Sequence, residues 1–155
     1  MMFSARVVVA LLIFVCGLAV SGEKLSIDEV NLLLHTSKDF SGKDLSNLDL
    51  SQKNMTGASF KRADLSGVNF SETNLSGANM NNAKLVGANL NNSKLNSADL
   101  SWTNMTGVTA IEADFAGANF SHSNLAGSNL TRANLKKVNL DKVTLGGVIL
   151  KDATF

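Results

Sequence analysis

Cysteine is almost missing from this chain, and the single one, Cys16, falls in a leading segment expected to be removed. The remainder can therefore form no disulfide framework and no cysteine-ligated metal site. The same lack suits an oxidising compartment, where stray thiols mispair. Proline and tyrosine do not occur, there is one tryptophan, and the two histidines are His35 and His122. Serine and threonine are plentiful, but they have no base and orienter nearby in sequence of the kind that nucleophilic catalysis needs. There is no phosphate-cradling glycine loop and no metal-ligand cluster. No catalytic, cofactor-binding or metal residues are assigned, no cofactor is expected, and the chain is read as a non-enzyme. An excess of one charge is missing too: 14 Lys and Arg stand against 13 Asp and Glu in 155 residues. That balance argues against nucleic acid as the partner of a basic rod. Arg132, Lys136, Lys137 and Lys142 cluster late, but Asp141 and Asp152 dilute them.

There is one long apolar run. Val7 to Val20 follows Arg6 and leads into Val20-Ser21-Gly22, a secretory-signal pattern with cleavage expected after Gly22, or after Ser21. Its 14 residues fall short of the roughly 20 that span a bilayer, so the mature chain carries no membrane span, and retention as an anchor is the alternative. A lipoprotein reading of Cys16 is weak: Val15 before it is larger than the small residue such a site wants, and the apolar run continues past it. The product is expected to be secreted or periplasmic. The layout expected is a signal peptide over 1–22, an N-terminal capping helix within 23–37 and a repeat region over 38–155.

What the chain has in abundance is a period of five. From Phe40 to Phe155, every fifth residue of 24 is large and apolar except Ala110. Such self-similarity governs the fold. A five-residue step spirals round an α-helix, about 140° each time, and alternates faces on a flat strand, so the chain must bend once per repeat. A second column, two residues earlier, is small or β-branched: Ala58, Ala63, Val68, Thr73, Ala78 and onward. Two residues apart on an extended segment share a face, so three residues run straight, the first and third inward, and two turn a corner. Glycine recurs every ten residues from Gly57 to Gly147, with gaps at Ser97 and Lys137. An even number of sides stacks these glycines into two opposite corner columns suited to tight or positive-φ turns, which fits four sides of five residues.

Ala-Asp-Leu-Ser-Gly at 63–67, Ala-Asn-Leu-Asn-Asn at 88–92 and Ala-Asn-Phe-Ser-His at 118–122 resemble the A-(D/N)-L-x-x unit of the pentapeptide-repeat family. The resemblance covers residues 38–155. It implies an all-β fold, a right-handed quadrilateral β-helix with twenty residues per coil and about six coils; the hand comes from the resemblance alone. Strand spacing of about 4.8 Å makes a rod about 28 Å long.

Before the repeats, Ser26-Ile27-Asp28-Glu29 is a capping-box pattern, and Ile27, Val30, Leu33 and Leu34 follow at helical spacing. A short helix over about 26–36 is predicted, covering the first coil. His35 at its end is read as a capping-surface residue. Lys38, Lys43 and Lys53 occupy the inward small-residue column and are expected to point out or lie along the helix. Ala110 is expected to be absorbed by repacking, with Val108 beside it and Ile111 free to swing in.

Sorted by twenty, one corner column reads Gly42, Arg62, Asn82, Trp102, His122, Lys142. Its aromatic centre between basic residues makes Arg62, Asn82, Trp102, His122 and Lys142 the candidate interaction face. The opposite column, Gln52, Glu72, Asn92, Glu112, Arg132, Asp152, is mostly acidic. Asp64, Asp99 and Asp114 fill the slot before the large residue, a structural one. The small column turns bulky at Val138, Val143 and Val148, and a homodimer through the C-terminal coil is expected, with Val143, Val148, Leu150 and Phe155 at its contact. The functional expectation is an exported, non-enzymatic scaffold that mediates protein or envelope interactions. A secreted effector or inhibitor of a specific protein is the alternative. Some proteins of the family mimic DNA and protect topoisomerases from quinolones. That reading is weaker: without Arg6 the chain has 13 basic and 13 acidic residues, and a signal peptide sends it to the wrong side of the membrane.

Overall fold

In the computed structural model, which describes residues 22–155, the backbone climbs as a coil with four corners. Parallel bridges join each residue of the slot before the large one to the residue twenty further on, from Lys24–Asp44 through to Asn134–Thr154. A twenty-residue coil with a corner every five residues has four sides. Each side is too short for a continuous strand and is tied to its neighbours through one bridged residue. Both inward columns are buried: Phe60, Leu65, Phe70 and Leu75 in the large one, Ala58, Ala63 and Val68 in the small one. The interior is filled, with no lumen.

One repeat accounts for every backbone donor. The Leu65 and Gly67 N–H groups donate to the next coil, at Lys84 and Val86. Asn69 N–H donates to the previous coil, at Leu48. Val68 N–H closes the corner on Leu65 C=O at 3.2 Å. That leaves the Ser66 N–H, which points away from both coils. It donates to Asp64 Oδ1 at 3.0 Å. The slot before the large residue thus favours Asp or Asn because only a short side-chain acceptor reaches this last donor. Asp99 and Asp114 do the same for Ser101 and Ala116. The hydroxyl and N–H of Ser46 hold the Asp44 carboxyl below the ordinary carboxylate range, and those of Ser51 do so for Asp49. These carboxylates cap corners.

The corners differ from the sequence expectation. Positive φ is not confined to the two glycine columns. Gln52, Arg62, Glu72, Asn82, Trp102 and His122 all sit at φ between 58° and 61°. The same tight turn recurs at every corner, whatever residue occupies it. For these residues the left-handed region costs roughly 1–2 kcal/mol each. Space explains little of the ten-residue glycine rhythm: a Cβ at Gly77 or Gly107 would meet nothing within 4 Å, and only at Gly67 would one collide, with Asn47 Oδ1.

Helix α1 spans Ile27–Leu34. Ser26 caps it with a complete capping box: its side chain accepts from the Glu29 N–H, and Glu29 accepts from the Ser26 N–H at 2.8 Å. The coil starts earlier than expected. Residues 22–25 run alongside 42–45, with Gly22 N–H on Gly42 C=O and Leu25 N–H on Asp44 C=O. One side of a preceding coil is therefore present, and α1 takes the place of the rest. Val30 is fully buried against the core, with Leu33 and Leu34 packed beside it. The lysines of the first coil are partly buried, and each finds a polar partner away from the apolar core. Lys53 reaches Asn31 of α1 at 3.0 Å, Lys43 pairs with Glu23 at 3.3 Å, and Lys38 bonds Thr56 C=O.

At Ala110 the coil keeps its course. Ala110 and Val108 are buried, but Ile111 does not swing in; it stays at its corner, partly exposed, and its N–H donates to Asn91 Oδ1 at 2.8 Å. That bond holds the corner in register. The small column also carries buried hydroxyls. Thr73, Ser93, Thr103 and Ser128 each donate to a backbone carbonyl. Ser123 Oγ is buried with no partner. An unmet buried hydroxyl costs about 1–3 kcal/mol, and alanine is the common residue of this column. Ser123→Ala is expected to stabilise the protein by about 1 kcal/mol, read as a higher midpoint in urea, whereas Ser128→Ala gains nothing.

Candidate interaction face

The corner that carries Trp102 is built from three side chains. Asp99 Oδ1 accepts from the Ser101 N–H and from Ser101 Oγ at 2.6 Å. Asn81, one coil back, donates to Ser101 Oγ at 2.8 Å. Ser101 is thereby buried at a corner position, and the next residue, Trp102, is thrown outward at φ 60°. It is 57% exposed.

One coil on, His122 holds the same corner. The two rings stack at 4.0 Å between centroids and 7° between planes. The twenty-residue register alone brings them together, since 4.0 Å lies close to the rise of one coil, about 4.8 Å. This stack was not read from the sequence, although the column that holds both residues was. On the other side stand Asn82 and Arg62, both exposed. Asn82 donates to Asn81 Oδ1 at 2.6 Å, which steadies its carboxamide. Lys142 closes the column with its ammonium 4.0 Å from Asp141. The five candidate residues thus line one edge of the rod.

The opposite column pairs within itself. Gln52 donates to Glu72 at 3.2 Å, and Arg132 meets Glu112 at 2.6 Å. Glu72, Glu112 and Arg132 are thereby engaged, whereas on the Trp102 edge Arg62 meets no carboxylate among the described residues. His35 lies elsewhere, at the end of α1, with Nδ1 2.7 Å from Asn31 C=O. It caps its own helix, and no nucleophile–base–orienter set includes either histidine among the described residues. Nor do the described residues contain a His, Cys, Asp and Glu group able to hold a metal.

The proposed dimer end is the most open part of the coil. Val143, Val148 and Leu150 are partly buried against the core, while Phe155 is 68% exposed, with Leu145 and Ile149 exposed nearby. Residues 1–21, which hold most of the expected signal peptide and the alternative cleavage point after Ser21, lie outside the described residues; Gly22 lies just inside them. No described helix is long and apolar enough to cross a membrane.

The family described as pentapeptide repeats matches in 8 copies over residues 39–77, 73–109 and 113–152. Among solved structures, a pentapeptide-repeat protein of the Arabidopsis thaliana thylakoid lumen is 31% identical, with a TM-score of 0.50, over 67% of this chain and 70% of that one. QnrB1, a plasmid-mediated fluoroquinolone resistance protein, is 23% identical with a TM-score of 0.53, over 69% of this chain and 56% of that one. The pentapeptide-repeat protein Rfr23 of the cyanobacterium Cyanothece 51142 is 23% identical with a TM-score of 0.44, over 84% and 99%. No curated protein sequence matches the chain.

Proposed function

Since the chain belongs to the pentapeptide-repeat family, we propose that it is an exported, non-enzymatic scaffold that presents the Trp102 edge of a right-handed quadrilateral β-helix to a protein or envelope partner. The observation that carries this reading is the stacked, outward Trp102–His122 pair. Many other outward side chains cap corners or form ion pairs; the exposed part of the indole does neither. Aromatic anchors held rigid before binding lose little entropy when a partner arrives. Export rests on the leading Arg6–Gly22 pattern. QnrB1 is 23% identical, so the likeness to it lends this chain the fold alone.

Two measurements test this. Fractionation is expected to recover the processed protein outside the cytoplasm; a full-length cytosolic product would overturn the reading. A pull-down from envelope or culture fluid is expected to retain a partner with wild type and to lose at least about tenfold of it, roughly 1.4 kcal/mol, with Trp102→Ala. Thermal melting is expected to be the same for both, because the indole contributes nothing to the core. A second copy is proposed to meet the last coil through Val143, Val148, Leu150 and Phe155. Sedimentation is expected to show a dimer that Phe155→Glu converts to monomer; a monomeric wild type at high concentration would end that part.

A further inference from the structure

Resting on the reading of the Trp102 column as the recognition face, we propose that the open face of Trp102 is a platform for a neutral pyranose ring of an oligosaccharide. One face of the indole is covered by His122, at 4.0 Å and nearly coplanar. The other is turned toward the level of Asn82, a shorter side chain, and the residue as a whole is 57% exposed. Backed by imidazole, the indole offers one flat, stiff, apolar surface beside polar groups, the combination that selects flat ligands with polar rims.

The polar rim is present on the open side. Asn82 is exposed, its amide anchored on Asn81 Oδ1 at 2.6 Å, while its Oδ1 accepts from no described residue. Beyond it Arg62 is exposed and makes no ion pair among the described residues. A free acceptor and a set of guanidinium donors thus border the platform. Hydroxyls, which donate and accept, match that rim. A nucleobase would match the indole equally, but a nucleic-acid strand also needs a cationic track for its phosphates, and the column's two cations, Arg62 and Lys142, stand four coils apart, with Lys142 beside Asp141. A quaternary ammonium needs several aromatic walls, and here there is one indole.

Trp102 is the only tryptophan and there is no tyrosine, so emission from the protein reports on this ring alone. Protein purified from expression of the full chain is titrated with cellotetraose and with the tetrasaccharide of N-acetylglucosamine. A saturable shift in emission with at least one sugar is expected. By calorimetry Trp102→Ala is expected to bind that sugar at least about tenfold more weakly, with Trp102→Phe between the two. The absence of any saturable response to either sugar at tens of millimolar overturns the proposal, as does sugar binding that survives Trp102→Ala. If the wild type ignores both sugars but still captures an envelope partner through Trp102, the glycan inference falls and the scaffold reading stands. If Trp102→Ala changes neither, both fall.

Discussion

Phe60→Ala is expected to remove about 3–5 kcal/mol of stability, the range for deleting a fully buried phenylalanine side chain. Phe60 has no solvent exposure. Its ring stacks on Phe40 of the coil before, at 5.0 Å and 11°, and meets Phe70 across the same coil edge-on, at 5.7 Å and 71°. It therefore joins two levels of the rod and two opposite sides of one level. Ala58 and Ala63 flank it and cannot grow into the gap; Met80, one level up, fills only part of it. In a solenoid each coil touches only its neighbours, so stability is nearly a sum of local terms. A hole at this level weakens the contact between the first coil and the rest rather than being shared across the molecule. Urea unfolding followed by circular dichroism measures the loss. Phe60→Leu, which keeps most of the volume, is expected to cost less than about 1.5 kcal/mol. Equal losses for the two variants would show that Phe60 is not packed between Phe40 and Phe70.

The column that holds Phe60 was legible because a five-residue step admits few geometries. Neither a helix nor a flat strand can bury it, and the small column two residues earlier fixed which residues share the inside. The capping helix was legible for a similar reason: Ser26 and Glu29 satisfy each other's backbone donors, and that chemistry has a fixed spacing. Other features carried weaker signals. Glycine marked only half the corners, so the positive φ at Trp102, His122 and the acidic column went unread; the corner geometry is imposed by closure of the coil, not by the residue. The ladder formed by residues 22–25 escaped because Glu23-Lys24-Leu25 has one apolar residue where a full repeat shows two. Asp64, Asp99 and Asp114 fill a slot legible as structural, yet its reason, a corner N–H facing neither neighbouring coil, emerges only from the folded corner. The Trp102–His122 stack required both the register of twenty and the outward direction of the corner side chain. Of the candidate face, then, the membership was in the sequence and the pairing was not.

Val30→Asp is expected to cost at least about 3 kcal/mol, since an unpaired charge cannot be kept in an apolar site without severe desolvation. Helix α1 has 8 residues, too few to be stable alone in water, and exists because it docks. Val30 is its only fully buried residue. Leu33 and Leu34 lean on the same core, Lys53 reaches Asn31 from below, and the Lys38 N–H closes on Leu33 C=O at 2.9 Å. An aspartate at 30 drives the helix off rather than enter with its charge. Phe40 and Leu45 then meet water, and the first coil shows bare edge groups able to pair with another chain. The variant is therefore expected to unfold earlier in urea and to self-associate as concentration rises. Ile27→Asp provides the control. Ile27 is on the same helix but 40% exposed, and an acidic residue in a first turn suits the helix dipole, so its stability is expected to stay within about 0.5 kcal/mol of wild type. Equal behaviour of the two variants would mean that α1 merely decorates the coil. Divergence in the stated direction would mean that the first coil depends on this helix for its cover, as each later coil depends on the next.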